Sequence, residues 1–523
     1  MRTNLHVNRQ ETPAIQIRDL APARVLEIEL GQQLSAIAAC DERGCCYQRA
    51  LCLVRLHTQP LGVVEFQFDE QGVSAAHCAQ QIWRRLQAQI NEHLQFDDLP
   101  PATGLDPGGL HCSALPRCLN EREEFLAHAP FVSVIVPTHN RPETLLPCLH
   151  SLLALHYPHY EVIVVDNAPG TQTTAELVRA ISSDAPHVRY LREDRPGVSW
   201  ARNCGIRAAT GNILAFTDDD VVVDPYWLVE IVRGFSRVGN ASNVACVTGY
   251  NLPLELETPA QFWYEAYGGA YWFQENGGTS WGFSRRIYDM KEHRAEIALY
   301  PYRAGMFGCG ASMAFTAAFL RSVHGFDPAL GGNGPSRCGQ DIAMFFQVIT
   351  RGYSLVYEPA AVIYHLHRRE YQALRRQIYR YGVGITAYLT KSMLDAPHLL
   401  FDFTGRLLLA CFQSLVPFLA SLLTVGTSLH PSRALPGAAA ALDGWLSNRS
   451  GSFVAGLAFK GSRSAKPGKM PAHYPRELVN IRRKGMLYGP LAYLQSRKMM
   501  KKLDKTFPDP GKEHAMRPVE KES

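Results

Sequence analysis

Ile213-Leu-Ala-Phe-Thr-Asp218-Asp219-Asp220 is an apolar run that stops in three adjacent carboxylates. Neighbouring negative charges repel one another unless water or a cation neutralises them, so a buried strand ending this way points to a metal ion at its end. Carboxylates suit hard divalent ions. Mg²⁺ in particular is held by one or two carboxylates, with substrate phosphates completing its shell. A nucleotide-diphosphate substrate is therefore the first expectation, and a solvated acidic loop is the competing one.

The elements around the triplet favour the first. Val132-Ser-Val-Ile-Val-Pro137 and Glu161-Val-Ile-Val-Val-Asp166 read as buried strands, followed by Val188-Arg-Tyr-Leu191 and the strand entering Asp218. Helical patterns over 143–155, 172–182 and 199–208 separate them. Strands alternating with helices at this spacing imply right-handed crossovers and a mainly parallel sheet covered on both faces. In such sheets ligands gather outside the carboxyl ends of the strands. Asp166, the acid triplet and the loop Pro137-Thr-His-Asn-Arg141 all leave strands at that edge.

The chain has 523 residues, 46% of them hydrophobic and 19% charged, and a formal net charge of +5. That length implies two to four units, and the charge balance says little about partners. The first residues, Met1-Arg-Thr-Asn-Leu-His-Val-Asn, carry no apolar core of signal-peptide length, which points to a cytoplasmic protein. The 13 cysteines show neither CxxC nor zinc-type Cys/His spacing and read as mostly reduced, packed thiols. Residues 1–120 suggest a small α+β unit, with strands over 25–30, 50–56 and 61–68, a turn at Gln59-Pro-Leu-Gly62, and a helix over 75–94; no chemistry stands out in it. Breakers in Leu99-Pro-Pro-Ala-Thr-Gly-Leu-Asp-Pro-Gly-Gly109 mark the boundary that follows.

Four motifs in order, Val134-Ile-Val-Pro-Thr-His-Asn-Arg141, Val164-Val-Asp166-Asn167, Gly197-Val-Ser-Trp-Ala-Arg-Asn203-Cys-Gly205 and Phe216-Thr-Asp218-Asp-Asp220, resemble family 2 glycosyltransferases of the GT-A fold. The resemblance covers about residues 131–390. It implies an inverting enzyme that moves a sugar from a nucleoside diphosphate to an acceptor hydroxyl with Mn²⁺ or Mg²⁺. Pro137, Thr138, Asn140, Arg141, Asp166, Arg202, Asn203, Asp218 and Asp219 are the implied nucleotide-sugar contacts. Asp218 and Asp220 form the implied D-x-D metal site, with His365 as third ligand or His367 as its substitute; strand alternation would put both histidines on one face.

The acceptor half should follow. Gly308-Cys-Gly310-Ala-Ser312 suits backbone passing close to a sugar, so Gly310, Ser312 and Gln340 are the expected acceptor contacts. Gly325-Phe-Asp-Pro-Ala-Leu-Gly-Gly-Asn-Gly334 is glycine-rich, but no GKS or GKT follows it and a P-loop is rejected. Gly339-Gln-Asp341 corresponds to the family's GED element. Gln340 replaces its glutamate and cannot act as a base, which leaves Asp341 as the implied catalytic base, with a helix cap as its competing role.

The stretch 366–393 is basic and helical in pattern, and Leu407 to Val425 runs without a charge but is borderline for a span and contains Gln413 and Pro417. With a Lys/Arg-rich tail behind it, a dipping or in-plane segment on the inner membrane face fits better than one full span, and a buried helix packing on the catalytic domain is the alternative. The reading is a cytoplasmic, peripherally or monotopically membrane-associated glycosyltransferase. Its units are an accessory α+β domain (1–120), a GT-A-like catalytic domain (131–390), a helical membrane-associating region (395–505) and a disordered tail (506–523). The acceptor would be a glycan or lipid-linked glycan, and nucleic acid is disfavoured by sparse aromatic interleaving. A sugar-nucleotide nucleotidyltransferase would need a glycine-rich, basic loop after the first strand, which Pro137 to Pro142 lacks. Gln340 leaves one alternative, a catalytically degenerate glycosyltransferase acting as a nucleotide-binding or scaffolding subunit.

Overall fold

The computed structural model describes residues 22–112, 114–236, 243–268, 283–290, 299–408 and 475–506. Most of the apolar run 407–425 and the tail beyond Thr506 lie outside the described residues, as does the N-terminus before residue 22.

The chain opens with β1 (Ala23–Glu29), β2 (Ile37–Ala38), β3 (Arg49–Leu56), β4 (Gln59–Gln67), β5 (Gly72–Val73) and α1 (Ala75–Phe96). β1 runs parallel to β3, and β3 pairs antiparallel with β4. Helix α1 starts at the Ser74 cap, whose side chain accepts from the His77 N–H, and buries Ile82, Leu86, Ile90 and Leu94. The turn expected at Gln59–Gly62 lies earlier, at His57 and Thr58, both left-handed (φ 53° and 66°). Pro60 instead belongs to β4, where the register against β3 shifts between Val54 and Arg55, so the residue that cannot donate sits at an irregularity. Ten described cysteines stand outside any disulfide. Cys40 and Cys46 are an exception: a bridge between their backbones brings them face to face, and they form a disulfide.

Helix α2 (Arg117–Leu126) leads into β6 (Val132–Thr138), α3 (Pro142–Leu153), β7 (Tyr160–Asn167), α4 (Thr173–Asp184), β8 (Val188–Glu193), α5 (Val198–Ala208) and β9 (Ile213–Phe216). Then come β10 (Val221–Val223), α6 (Trp227–Arg233), β11 (Val244–Pro253), α7 (Pro259–Gly268), β12 (Arg286–Tyr288), β13 (Met313–Thr316), α8 (Gln340–Thr350), β14 (Ser354–His365), α9 (Tyr371–Asp395) and α10 (Arg476–Thr506). One sheet runs β10-β14-β11-β13-β9-β6-β7-β8, with β12 paired to β14. β9, β6, β7 and β8 are parallel, as are β11 and β14. Antiparallel β13 separates these two blocks, so β14 points the same way as β9. The parallel strands are buried on both faces, which is why β6 and β9 read as near-continuous apolar runs. This is a GT-A-like arrangement, with small sheets before it and helices after it.

Helix α10 packs on α9 through glycine. A Cβ on Gly382 would lie 2.1 Å from the Arg482 carbonyl oxygen, and one on Gly485 2.3 Å from the Tyr379 carbonyl oxygen. Thr386 Oγ1 also donates to the Met486 carbonyl at 2.7 Å. The N-terminal unit is fastened by Arg55, whose Nη2 donates to Asp224 Oδ2 at 2.7 Å and whose Nε faces Glu27 at 2.9 Å. Arg55 and Asp224 are both buried. Asp224→Ala should lower the unfolding free energy by about 3 kcal/mol, the low end for a broken buried pair because Glu27 remains. Denaturant titration checks this, and a loss near zero would mean that Arg55 does not depend on Asp224.

Candidate active site

The acid triplet follows β9, and its carboxylates are met by Arg141, which serves Asp219 and Asp220, by His365 and by Arg202. Asp219 is buried; its Oδ2 accepts from Thr138 Oγ1 at 2.7 Å and its Oδ1 from Arg141 Nη1 at 2.8 Å. Burial pushes this carboxyl up to about 6, with Arg141 opposing. Asp220 accepts from Arg141 Nη2 at 2.9 Å, and its other oxygen lies 3.1 Å from His365 Nε2. Burial would raise the Asp220 carboxyl too, but His365, Arg141 and Arg368 reverse that and hold it below the usual carboxylate range. The imidazole is affected in turn: burial lowers it, and Asp220 overrides burial to raise it above the ordinary histidine value. Asp218, a third exposed, accepts from Arg202 Nη2 at 3.0 Å.

Arg202 lies on α5 with about 1% of its surface exposed. The same Nη2 donates to the Gly310 carbonyl at 3.1 Å, while Nε and Nη1 have no protein partner. Gly310 is also where the acceptor half arrives: a Cβ there would fall 2.8 Å from Asp341 Oδ2. Asp341 stands in the first turn of α8, after the left-handed Gly339, and its Oδ1 accepts from the Ile342 N–H. A Cβ on Gly339 would lie 2.7 Å from the Gly384 carbonyl oxygen on α9. Gln340, beside it, has a buried Oε1 without a partner.

Asp166, the last residue but one of β7, is fully buried. Its Oδ2 accepts from the Tyr190 hydroxyl at 3.0 Å and its Oδ1 is unpartnered; burial raises the carboxyl, with Tyr190 opposing. Tyr190 was not singled out in the sequence, although the parallel register that pairs Val164 with Tyr190 puts it beside this acid. Asn140 is left-handed (φ 52°) after β6, and its Oδ1 accepts from the Gly170 N–H, tying together the loops that follow β6 and β7. Pro137 lies within β6, one residue before Thr138.

Two of the expected contacts are committed elsewhere. Asn203 uses its amide on backbone, Nδ2 donating to the Phe326 carbonyl and Oδ1 accepting from its N–H, both at 2.8 Å, so it positions a loop. Ser312 is fully buried, with Oγ accepting from Trp227 Nε1 at 3.0 Å, and is not at an acceptor surface. His365 and His367 lie side by side, their rings edge to face with centroids 5.2 Å apart, but they meet different acids: His365 Nε2 lies 3.1 Å from Asp220 and His367 Nε2 2.6 Å from Glu265 on α7. The glycines of 325–334 serve close packing, since Gly332 bridges Gly197 and Gly334 lies against Ser496.

The donors present suit a divalent cation by type. Asp220 Oδ1 and His365 Nε2, 3.1 Å apart, have the separation of neighbouring ligands on one ion; Asp218, a third exposed and bonded to Arg202, stands outside that close pair. Two carboxylates and an imidazole suit Mn²⁺ or Mg²⁺. Arg141 and Arg202 hold the other carboxylate contacts, so the triplet is balanced by side-chain cations.

Residues 133–293 match the family model "Glycosyl transferase family 2". With the strand-end acids and the sheet around them, this stretch is a family 2 glycosyl transferase domain. Similar proteins include glycosyltransferase AglE of Haloferax volcanii, 41% identical over 114 residues, which are 21% of this chain and 37% of that protein. Validoxylamine A glucosyltransferase of Streptomyces hygroscopicus is 32% identical over 162 residues, 28% of this chain and 38% of that protein. The chain thus spans well under two thirds of these relatives' length. Among solved structures, a mannosyltransferase from Pyrobaculum calidifontis in complex with GDP-Man and Mn²⁺ aligns with TM-score 0.39 and 16% identity, over 71% of this chain and 95% of that one.

If Asn203 only positions backbone, Asn203→Ala should cost about 1–3 kcal/mol by stranding the Phe326 amide and carbonyl, while nucleotide affinity in the folded variant stays unchanged. Parallel denaturation and calorimetry test the pair of outcomes. A large affinity loss at unchanged stability would return Asn203 to the binding site.

Proposed function

We propose that the protein transfers a sugar from a nucleoside-diphosphate sugar to an acceptor hydroxyl with inversion, using a divalent cation. The observation that carries this reading is the meeting at Gly310. Its carbonyl is held by the arginine that binds Asp218, and its Cα faces the Asp341 carboxylate, so donor-side and acceptor-side residues share one crevice.

The unpartnered Asp166 Oδ1 is available to the nucleoside, and the free N–H groups of Arg202 to phosphate oxygens. Asp218, Asp220 and His365 would hold Mn²⁺ or Mg²⁺. When bound, the ion offsets charge growing on the departing diphosphate. Asp341 takes the acceptor proton as the new carbon–oxygen bond forms on the sugar face opposite the breaking bond, whose electron pair leaves with the diphosphate. Gln340 cannot accept that proton at neutral pH, and its unmet carbonyl oxygen is suited to receiving a sugar hydroxyl.

A glycan or lipid-linked acceptor at the inner membrane face is supported by α10. Its buried stripe includes Leu478, Ala492, Tyr493, Ser496 and Met500, and its outer face exposes Leu487 (84%), Leu491 and Leu494 beside Lys484, Arg497, Lys498 and Lys501. An apolar ridge flanked by cations suits an anionic lipid surface. Among the described residues, no helix is long and apolar enough to cross a membrane.

Asp341→Asn should reduce kcat about 10²–10⁴-fold with nucleotide affinity unchanged, measured over a panel of nucleotide sugars with Mn²⁺. Nucleotide binding by the native protein without turnover in any acceptor screen would favour a scaffolding subunit instead. Asp220→Ala should abolish the metal-dependent part of UDP or GDP binding; equal affinity of the native protein with and without EDTA would overturn the metal assignment. Replacing Leu487 and Leu491 with Glu should release the protein from sedimenting anionic vesicles, and undiminished sedimentation would remove the lipid-surface reading.

A further inference from the structure

A second cluster of ligand-type side chains lies in the N-terminal unit, away from the acid triplet. One ligand atom from each of His57, His93, Asp97 and Cys118 lies within 4.8 Å of those of the other three. His57 Nδ1 is 2.6 Å from Asp97 Oδ2 and 3.2 Å from His93 Nε2; His93 Nε2 is 3.1 Å and Cys118 Sγ 3.2 Å from the same Asp97 oxygen. His57, Asp97 and Cys118 are buried. We propose that these four side chains form a structural zinc site joining the N-terminal unit to the entry of the glycosyltransferase domain.

The donor set is the first argument. One thiolate, two imidazoles and one carboxylate make a four-ligand group of the kinds that tetrahedral Zn²⁺ takes, and the thiolate with imidazoles disfavours Mg²⁺ or Ca²⁺. A closed set of four protein ligands marks a structural rather than a catalytic zinc.

The second argument is the shell behind the ligands. Asp97 Oδ1 accepts from the Cys118 N–H at 2.8 Å, which leaves Oδ2 for the centre. His57 Nε2 lies 3.3 Å from Cys112 Sγ, a contact that occupies the far ring nitrogen while Nδ1 faces inward. The left-handed turn carrying His57 is clamped by Glu29, whose carboxylate accepts from the His57 and Thr58 N–H groups at 3.0 and 2.9 Å. Thr58 Oγ1 in turn accepts from Arg122 of α2 at 2.7 Å.

Connectivity gives the role. His57 comes from the β3–β4 turn, His93 and Asp97 from the end of α1, and Cys118 from the first turn of α2. An ion there closes the loop between α1 and α2 and fixes α2, which leads into β6. Metal clips that close long loops gain their stabilisation largely from the unfolded chain. Without the ion, two imidazoles and a thiol crowd a single carboxylate oxygen.

The test uses the full chain purified without a chelating resin. Elemental analysis should find zinc near one per chain, retained in Asp220→Ala and lost to background in a His93→Ala/Cys118→Ser double variant. Stripping the native protein with a chelator should lower its unfolding midpoint, and added Zn²⁺ alone should restore it. Cobalt reconstitution of the native protein gives a readout that does not depend on the variant folding: tetrahedral d–d absorption with a thiolate-to-cobalt charge-transfer band is expected. Background zinc in the native protein that added Zn²⁺ does not raise, or a cobalt spectrum without the thiolate band, would overturn the proposal.

Discussion

Three carboxylates at the end of a buried strand cannot stay together without positive charge, and that need organises the catalytic unit. Arg141 arrives from the loop after β6, Arg202 from α5 and His365 from the end of β14. Each reaches the triplet because its parent element ends or passes at the same edge of the sheet. The parallel direction of β6, β9 and β14 is therefore an electrostatic requirement as much as a topological one.

Much of this could be read in the sequence, because the signals were local. Buried parallel strands show as short apolar runs, and acids at their ends stand out against them. The substitution of Gln340 left Asp341 as the only carboxylate of its motif, and the structure sets that carboxylate against Gly310. What could not be read depends on partners far away in sequence. Ser312 is buried because Trp227 reaches it across 85 positions, and Asn203 is occupied by a loop 123 residues later. Choosing between His365 and His367 requires knowing which acid each one meets, Asp220 or Glu265. The cluster at positions 57, 93, 97 and 118 escaped for the same reason: only His93 and Asp97 share a helical spacing, and the other two belong to a turn and to another helix.

The N-terminal unit is more than a neighbour of the sheet. Arg55 reaches Asp224, close to the acid triplet in sequence, and Arg122 lies over the Tyr226 ring at 3.9 Å while its Nη1 bonds the turn that carries His57. Guanidinium groups make these connections because one planar fork can serve partners on two elements at once. The coupling is polar and directional, so it fixes orientation between the parts rather than merely holding them in contact.

The glycine contacts along α9 form a relay. Gly339, two residues before Asp341, rests on the Gly384 backbone, and Gly382, one half-turn away, rests on the Arg482 carbonyl of the last helix. Main chain touches main chain at each step, with no flexible side chain to absorb an error. The reach of the proton-accepting carboxylate is thus gauged by a helix that begins more than 130 residues downstream, and one methyl group added at any of these three glycines would shim the gauge out of true.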